Sequence, residues 1–280
     1  VIYVQYKLNK AAWRRFADLL DLKEDSQLQE GIPFGTFSNE VSVEDLSFSY
    51  GDKKVLDKIS ITIKKGEKVA FVGESGSGKS TLAKILVGLL KYEKGEVLFD
   101  GKPLKGFSLE SLYERVSYFP QNTPVFDGTI RENLVFDKEI PEEDIKNSLK
   151  NVQLFPLLAS LDNGLETKIG ERGACLSGGE KQRLALARLW FEQADMVILD
   201  EATSALDNLT ESIVMENVVE KMDGATVIAI VHRLASVRGF DRIVVFKEGR
   251  IAGNGTFEKL LAANPYFYEL YRKEKGAPQL

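Results

Sequence analysis

GESGSGKST, residues 73–81, matches the spacing G-x-x-x-x-G-K-[ST] through Gly73, Gly78, Lys79 and Ser80. KVAFVG runs directly into it, a short apolar stretch of the kind buried on both faces of a parallel sheet. Beyond it a helix is predicted from about Lys79 to Leu90. Strand, glycine loop and helix is the order the motif's mechanism needs. Glycines let backbone N–H groups converge on phosphate oxygens, and the helix N-terminus adds its partial positive charge. Lys79 then bridges the terminal phosphates and Ser80 reaches Mg²⁺. The expected phosphate-binding residues are Gly73, Glu74, Ser75, Gly76, Ser77, Gly78, Lys79, Ser80 and Thr81. Such a loop defines a nucleoside triphosphate site without saying what it drives, since kinases, GTPases and ATP-driven motors all use one.

Outward from the loop, MVILDE (196–201), TVIAIVH (226–232) and RIVVFKEG (242–249) are short β-rich runs separated by helical or polar segments. That alternation signals a parallel sheet with crossover helices. The first run ends in two carboxylates, so Asp200 emerges at the carboxyl end of a buried strand, where ligands sit in open parallel sheets. Asp200 is placed there to hold Mg²⁺ through its water shell, and Glu201 to orient the attacking water as a base. Upstream, VSVEDLSFSYG (41–51) alternates with Val41, Val43, Leu46 and Phe48 as its apolar members, and VLDKISITIKKGE (55–67) alternates likewise. GEVLFDG (95–101) and RVSYFPQ (115–121) read as shorter strands, and residues 141–195 as mostly helical. The expected fold is α/β, a parallel-sheet core carrying the phosphate loop, with an antiparallel β subdomain and a helical subdomain.

In CLSGGEKQRLALARL (175–189), Ser177, Gly178 and Gly179 precede a predicted helix. An ordinary Ser cap with flexible glycines and a second anion-binding helix start fit those local residues equally well.

The chain has 280 residues, a net charge of -5 and a pI near 5.3, with no basic excess of the kind that binds nucleic acid. Cys175 is the only cysteine, so no intrachain disulfide forms and a cytosolic setting is expected. No run approaches the roughly 18 apolar residues of a membrane span. The first methionine is Met196, and the chain is expected to continue upstream of Val1. NKAAWRRFADLLDL (9–22) puts Ala12, Trp13, Phe16, Leu19 and Leu20 on one face of an amphipathic helix, followed by a polar linker to residue 40.

LSGGE between a phosphate loop and VILDE, with SALD and a histidine following, closely resembles the nucleotide-binding domain of ABC transporters. The resemblance covers about residues 41–272, leaving 1–40 as a helix and linker from a preceding transmembrane domain and 273–280 as a tail. The resemblance implies that Tyr50 stacks on adenine, that Gln121 contacts Mg²⁺ and the attacking water, and that Asp207 belongs to a loop reaching across a dimer interface. Leu176, Ser177, Gly178, Gly179 and Glu180 would form the signature that closes the partner's ATP site. The family most often has Gln at the fifth position, and a charge beside ATP there could alter affinity or rate. VFDGTIRENL (125–134) and GERG (170–173) are similar to the exporter-type subfamily, with a helical subdomain at about 122–190. Implied partners are a second such domain, identical or not, and a transmembrane domain, with the soluble domain on the cytoplasmic face of a plasma or inner membrane.

His232, the only histidine, is delivered by the apolar run TVIAIV to the sheet edge that carries Asp200. An imidazole both donates and accepts, which suits a γ-phosphate sensor better than a packing residue. Two rival classes remain. A soluble superfamily member acting on DNA or ribosomes would normally show a coiled-coil insertion, a second ATPase copy or a basic stripe, and none is visible. A module that binds nucleotide without turnover would lack the base, and Glu201 is present.

Overall fold

The computed structural model describes residues 26–275 except Thr123, Glu171, Arg172 and Asp223. The helix expected at 9–22 lies outside the described residues, and of GERG only the two glycines lie within them.

A four-stranded sheet has the order β2-β1-β4-β5, from β1 (Glu40–Tyr50), β2 (Lys53–Lys64), β4 (Lys94–Phe99) and β5 (Lys102–Pro103). All its pairings are antiparallel. Val41 and Val43 face inward as alternation predicts, but Leu46, three residues on, is buried too. A register shift between Val43 and Leu46, with Asp45 at φ 45°, turns the strand by the extra residue and keeps Leu46 inside.

The second sheet has the order β10-β9-β3-β8-β7-β6. It is built from β3 (Lys68–Val72), β6 (Val116–Phe119), β7 (Met196–Asp200), β8 (Thr226–Ile230), β9 (Arg242–Lys247) and β10 (Arg250–Gly255). Its strands run parallel except β10, which returns antiparallel to β9. Alternate residues of the parallel strands enter opposite cores. Ala70, Val72, Val197, Leu199, Val227 and Ala229 join the helical side, whereas Val69, Phe71, Ile198, Ile228 and Ile230 pack toward the antiparallel sheet. Each buried Val, Leu, Ile or Phe among them contributes about 1.5–3 kcal/mol, so both faces hold the sheet's edge loops in place.

The helices are α1 (Lys79–Leu86), α2 (Leu109–Tyr113), α3 (Ile130–Val135), α4 (Glu142–Asn151), α5 (Phe155–Ala159), α6 (Gly178–Ala187), α7 (Asn208–Lys221), α8 (Phe257–Ala263) and α9 (Pro265–Glu274). Helix α1 stops short of Leu90. Gly88 takes φ 74°, and an added Cβ there would lie 2.5 Å from Leu109 Cδ2. Helices α3 to α6 form the layer whose apolar faces fill the helical-side core.

Two stretches depart from the sequence reading. The stretch before residue 40, expected as a polar linker, buries Phe34 and Phe37, which meet the Phe99 ring edge to face at 5.2 and 5.7 Å. Its polar majority hid two aromatics that the β sheet could bury. Lys273 and Glu274, assigned to a tail, are the last two residues of α9, because Phe267 is fully buried and anchors that helix.

Candidate functional site

The phosphate loop leaves β3 at Gly73, where φ is 143° and an added Cβ would lie 2.2 Å from the Phe246 carbonyl oxygen. It enters α1 at Gly78, φ 104°, where a Cβ would meet Leu56 Cδ2 at 2.6 Å. Only glycine fits either position. Lys79 Nζ donates to the carbonyls of Gly73 and Glu74 at 2.8 Å each and to Ser77 Oγ at 3.3 Å, so the ammonium sits within the curl of the loop. Burial pushes it below the ordinary lysine range, while Glu201 and Asp200 act in the opposite direction. Glu74, Ser75 and Gly76 form the exposed crest of the loop, and Thr81 is buried in α1.

Ser80 and Asp200 come together across the sheet edge, Ser80 Oγ donating to Asp200 Oδ1 at 2.7 Å. Hydroxyl and carboxylate oxygens are the hard donors that magnesium takes. Among the described residues no cluster of three or more His, Cys, Asp or Glu could cage a metal by itself. A cation at Ser80 and Asp200 would need further oxygen ligands beyond this pair. Asp200 is 5% exposed, and its Oδ2 accepts from the Tyr118 hydroxyl at 2.7 Å. Burial, and then the hydrogen bond to Asp200, raises the Tyr118 hydroxyl far above the ordinary tyrosine range, so it remains a donor.

Glu201 and His232 also meet, Nε2 to Oε1 at 2.6 Å. Glu201 holds φ 53°, the left-handed region that a glutamate avoids, and its N–H donates to the Ile230 carbonyl at 3.1 Å. Such a conformation costs of the order of 1 kcal/mol and persists where neighbours over-determine it. Ser80, Asp200, Glu201 and His232 thus lie on the phosphate-loop side of the sheet, at the carboxyl ends of β7 and β8.

The other expected residues are less directly gathered. Tyr50 ends β1 half exposed, its ring 4.9 Å from Phe48 edge to face. The Gln121 side chain is exposed, and among the described residues no hydrogen bond joins it to Ser80 or Asp200. Its carbonyl accepts from Gln182 Nε2 at 3.3 Å. Gln182 also donates to Ser204 Oγ at 3.0 Å and accepts the Ala205 N–H at 2.8 Å, which ties the Gln121 loop to the loop before Asp207. Asp207 caps α7, accepting from the N–H groups of Leu209 and Thr210 at 3.1 Å each.

Ser177 caps α6, its Oγ accepting the Glu180 N–H at 3.3 Å while Glu180 Oε2 accepts the Ser177 N–H at 2.7 Å. The cap reading of this stretch holds, and Glu180 is the reciprocal half of a capping box. Hydrogen bonding from the Ser177 side chain and from its backbone N–H holds the Glu180 carboxyl below the ordinary range. Leu176 is buried, and the Gly179 backbone packs against Ala205, where a Cβ would lie 3.1 Å from its carbonyl oxygen. Among the described residues no hydrogen bond or ion pair joins 176–180 to 73–81.

Sequence reasoning did not single out Tyr118, Gln182 or the group around Arg233. Arg233 Nη1 donates to the Leu206 carbonyl and to Glu211 Oε2, both at 2.6 Å, and Thr203 Oγ1 donates to Glu211 Oε1 at 3.0 Å. Burial raises the Glu211 carboxyl, and Thr203 and Arg233 work against that rise. An arginine beside His232 was the only local signal for this link.

A glycine loop closed over a buried lysine, facing a serine–aspartate pair and a glutamate–histidine pair on one parallel sheet, defines a P-loop nucleotide-binding domain. The chain belongs to the ABC transporter family, whose model matches residues 56–204. It is similar to the ATP-dependent lipid A-core flippase of Francisella tularensis subsp. tularensis (strain FSC 198), at 39% identity over 83% of this chain and 38% of the relative. The uncharacterized ABC transporter ATP-binding protein YwjA of Bacillus subtilis (strain 168) is 36% identical over 98% of this chain and 48% of its own length. A bacterial Atm1-family ABC exporter solved with ATP bound superimposes with a TM-score of 0.84 at 29% identity, over 98% of this chain and 49% of that one. The chain is an exporter-type ABC ATP-binding domain, and it spans between about two fifths and one half of these proteins' lengths. No helix among its described residues is long and apolar enough to cross a membrane.

Proposed function

We propose that this domain hydrolyses ATP with Mg²⁺ to drive an exporter's transmembrane domain, and that it does so as a dimer. The observation that carries the proposal is the meeting of Glu201 with His232 at 2.6 Å beside the Ser80–Asp200 pair. Lys79 binds the terminal phosphates, and residues 73–81 direct backbone N–H groups at them. Ser80 and Asp200 would hold the metal, with Gln121 completing its surroundings. Magnesium, when bound, supplies charge neutralisation at the transferred phosphoryl group. Glu201 orients the attacking water and takes its proton, and His232 donates to the γ-phosphate. Tyr50 lies against the adenine.

The signature residues Leu176 to Glu180 serve a partner domain's site, with Asp207 at the same interface. The partner is a second nucleotide-binding domain, identical or not. The residues before β1 join the ATPase domain to membrane helices, at the cytoplasmic face of a membrane.

The test is Glu201→Gln. Nucleotide affinity should persist while phosphate release slows by roughly 10²- to 10⁴-fold, and light scattering should detect a dimer that forms only with ATP. Near-normal turnover with no such dimer would refute both the base and the pairing.

A further inference from the structure

The three residues after His232 are held from two sides. On one side Arg233 reaches Glu211 on α7 and the Leu206 carbonyl. On the other the backbone itself is held, because the Leu234 N–H donates to Glu274 Oε2 at 2.6 Å and the Ala235 N–H to Glu274 Oε1 at 3.4 Å. Those N–H groups open the short 3₁₀ turn Leu234–Val237, which has no cap from its own preceding residue. Glu274 supplies one from forty residues away in sequence. Its helix is fixed from below, with Phe267 fully buried and packed edge to face on Phe257 at 5.5 Å, and Tyr271 on the same ring at 5.7 Å. The same helix end faces the phosphate loop, since Lys273 Nζ lies 3.4 Å from Glu74 Oε1. The final turn of α9 therefore touches both the loop that grips phosphate and the turn that follows His232.

We propose that Glu274 is a positioning residue for His232, acting through the Leu234 and Ala235 N–H groups to set where the imidazole meets Glu201. The inference rests on the ATPase reading for its effect on turnover, but its geometric claim concerns the nucleotide-free protein. A carboxylate accepting two backbone N–H groups is a charge-assisted pair of bonds, stronger than neutral ones. Losing it frees two donors and lets the segment after His232 pivot about Arg233, moving the imidazole tip while leaving the phosphate loop and its lysine unchanged. A displacement of that kind affects the reaction geometry more than nucleotide affinity.

The experiment uses the full 280-residue chain and three variants, Glu274→Ala, Glu274→Gln and Glu201→Gln. In Glu274→Ala, kcat should fall roughly tenfold with the KM for ATP and the affinity for ADP within about twofold. Glu274→Gln keeps one acceptor oxygen and should recover part of the loss. His232 is the only histidine, so its imidazole NMR signals need no assignment. In nucleotide-free protein they should move in Glu274→Ala toward their position in Glu201→Gln, where the carboxylate partner is replaced. Wild-type turnover in Glu274→Ala overturns the proposal, whether or not the signals move. Stationary signals overturn it too, including the case in which only the melting temperature falls, because a packing role would do no more. Should Glu274→Ala fail to fold, Glu274→Gln decides by the same two readouts. An unmutated chain that does not hydrolyse ATP counts against the ATPase reading, and the nucleotide-free signals then still decide the positioning.

Discussion

At the scale of single residues, the capping box accounts for the charge at position 180 without reference to nucleotide. Glu180 turns back onto Ser177 N–H at 2.7 Å, so its carboxylate is committed to its own helix. Glutamine can fill the same role in such a box. At pH 7 Glu180→Gln should therefore cost less than Glu180→Ala in denaturant unfolding, because glutamine keeps the reciprocal hydrogen bond and loses only the carboxylate's charge. The Glu180 carboxyl is lowered in the folded state, so its stabilising contribution is full above the unfolded value near 4.5 and is lost as pH falls through the folded value. The glutamine variant should accordingly show a shallower loss of stability below about pH 4.5 than the unmutated chain. Tyr118 makes a second case. Removing its hydroxyl leaves a nearly buried carboxylate with one donor fewer, so Tyr118→Phe should cost about 1–3 kcal/mol. In a double-mutant cycle with Asp200→Ala most of that cost should disappear, and full additivity would show that the bond contributes nothing. Neither residue's partner was visible in sequence to the same degree. Ser177 and Glu180 are three apart and follow a local rule, but Tyr118 and Asp200 are 82 apart and meet only because β6 and β7 are neighbours.

Among the elements, those buried on both faces declared themselves. KVAFV, MVILD and TVIAI are buried at every position, and each was legible as a core strand. Strand β10 was not, because RIAGNG is half exposed, lies at the sheet edge and carries three non-apolar residues in its last four. The carboxylate of Asp100 illustrates how elements are joined without periodicity. It accepts the N–H groups of Ser38, Asn39 and Glu40 at 2.6, 2.9 and 3.0 Å, tying the turn after β4 to the start of β1. Burial raises the Asp100 carboxyl, yet those three donors together with Lys102 leave it lowered overall. The sign is again that of a depressed acid, with stability complete above about pH 4 and lost as the folded carboxyl protonates. Asp100→Asn should destabilise the domain at pH 7 by about 1–2 kcal/mol and flatten the acid limb of its stability curve, measured by thermal melts at several pH values.

For the whole molecule, the arrangement by sheet order explains what a linear reading could reach. The phosphate loop, Asp200, Glu201 and His232 were readable because each terminates an apolar run, and parallel strands bring their carboxyl ends to one edge. The contribution of the signature to a second molecule's site was readable only by resemblance. Mixing two damaged chains tests it. Lys79→Ala and Ser177→Arg should each be inactive alone, while their mixed dimer contains one site with both halves intact. Partial recovery of phosphate release, vanishing on dilution, is expected; mixtures that pair by light scattering but stay inert would argue against sites shared between chains. The same sheet order also bears on how the domain is made. Strand β3 lies between β8 and β9, so the strand that launches the phosphate loop has neither neighbour until Thr226–Lys247 have been synthesised. The antiparallel hairpin of β1 and β2 can form at once, but a nascent chain extending only as far as α7 carries KVAFV with both edges bare. An apolar strand waiting unpaired is an aggregation hazard, so the interval of synthesis before Thr226 is when this strand is most exposed to it.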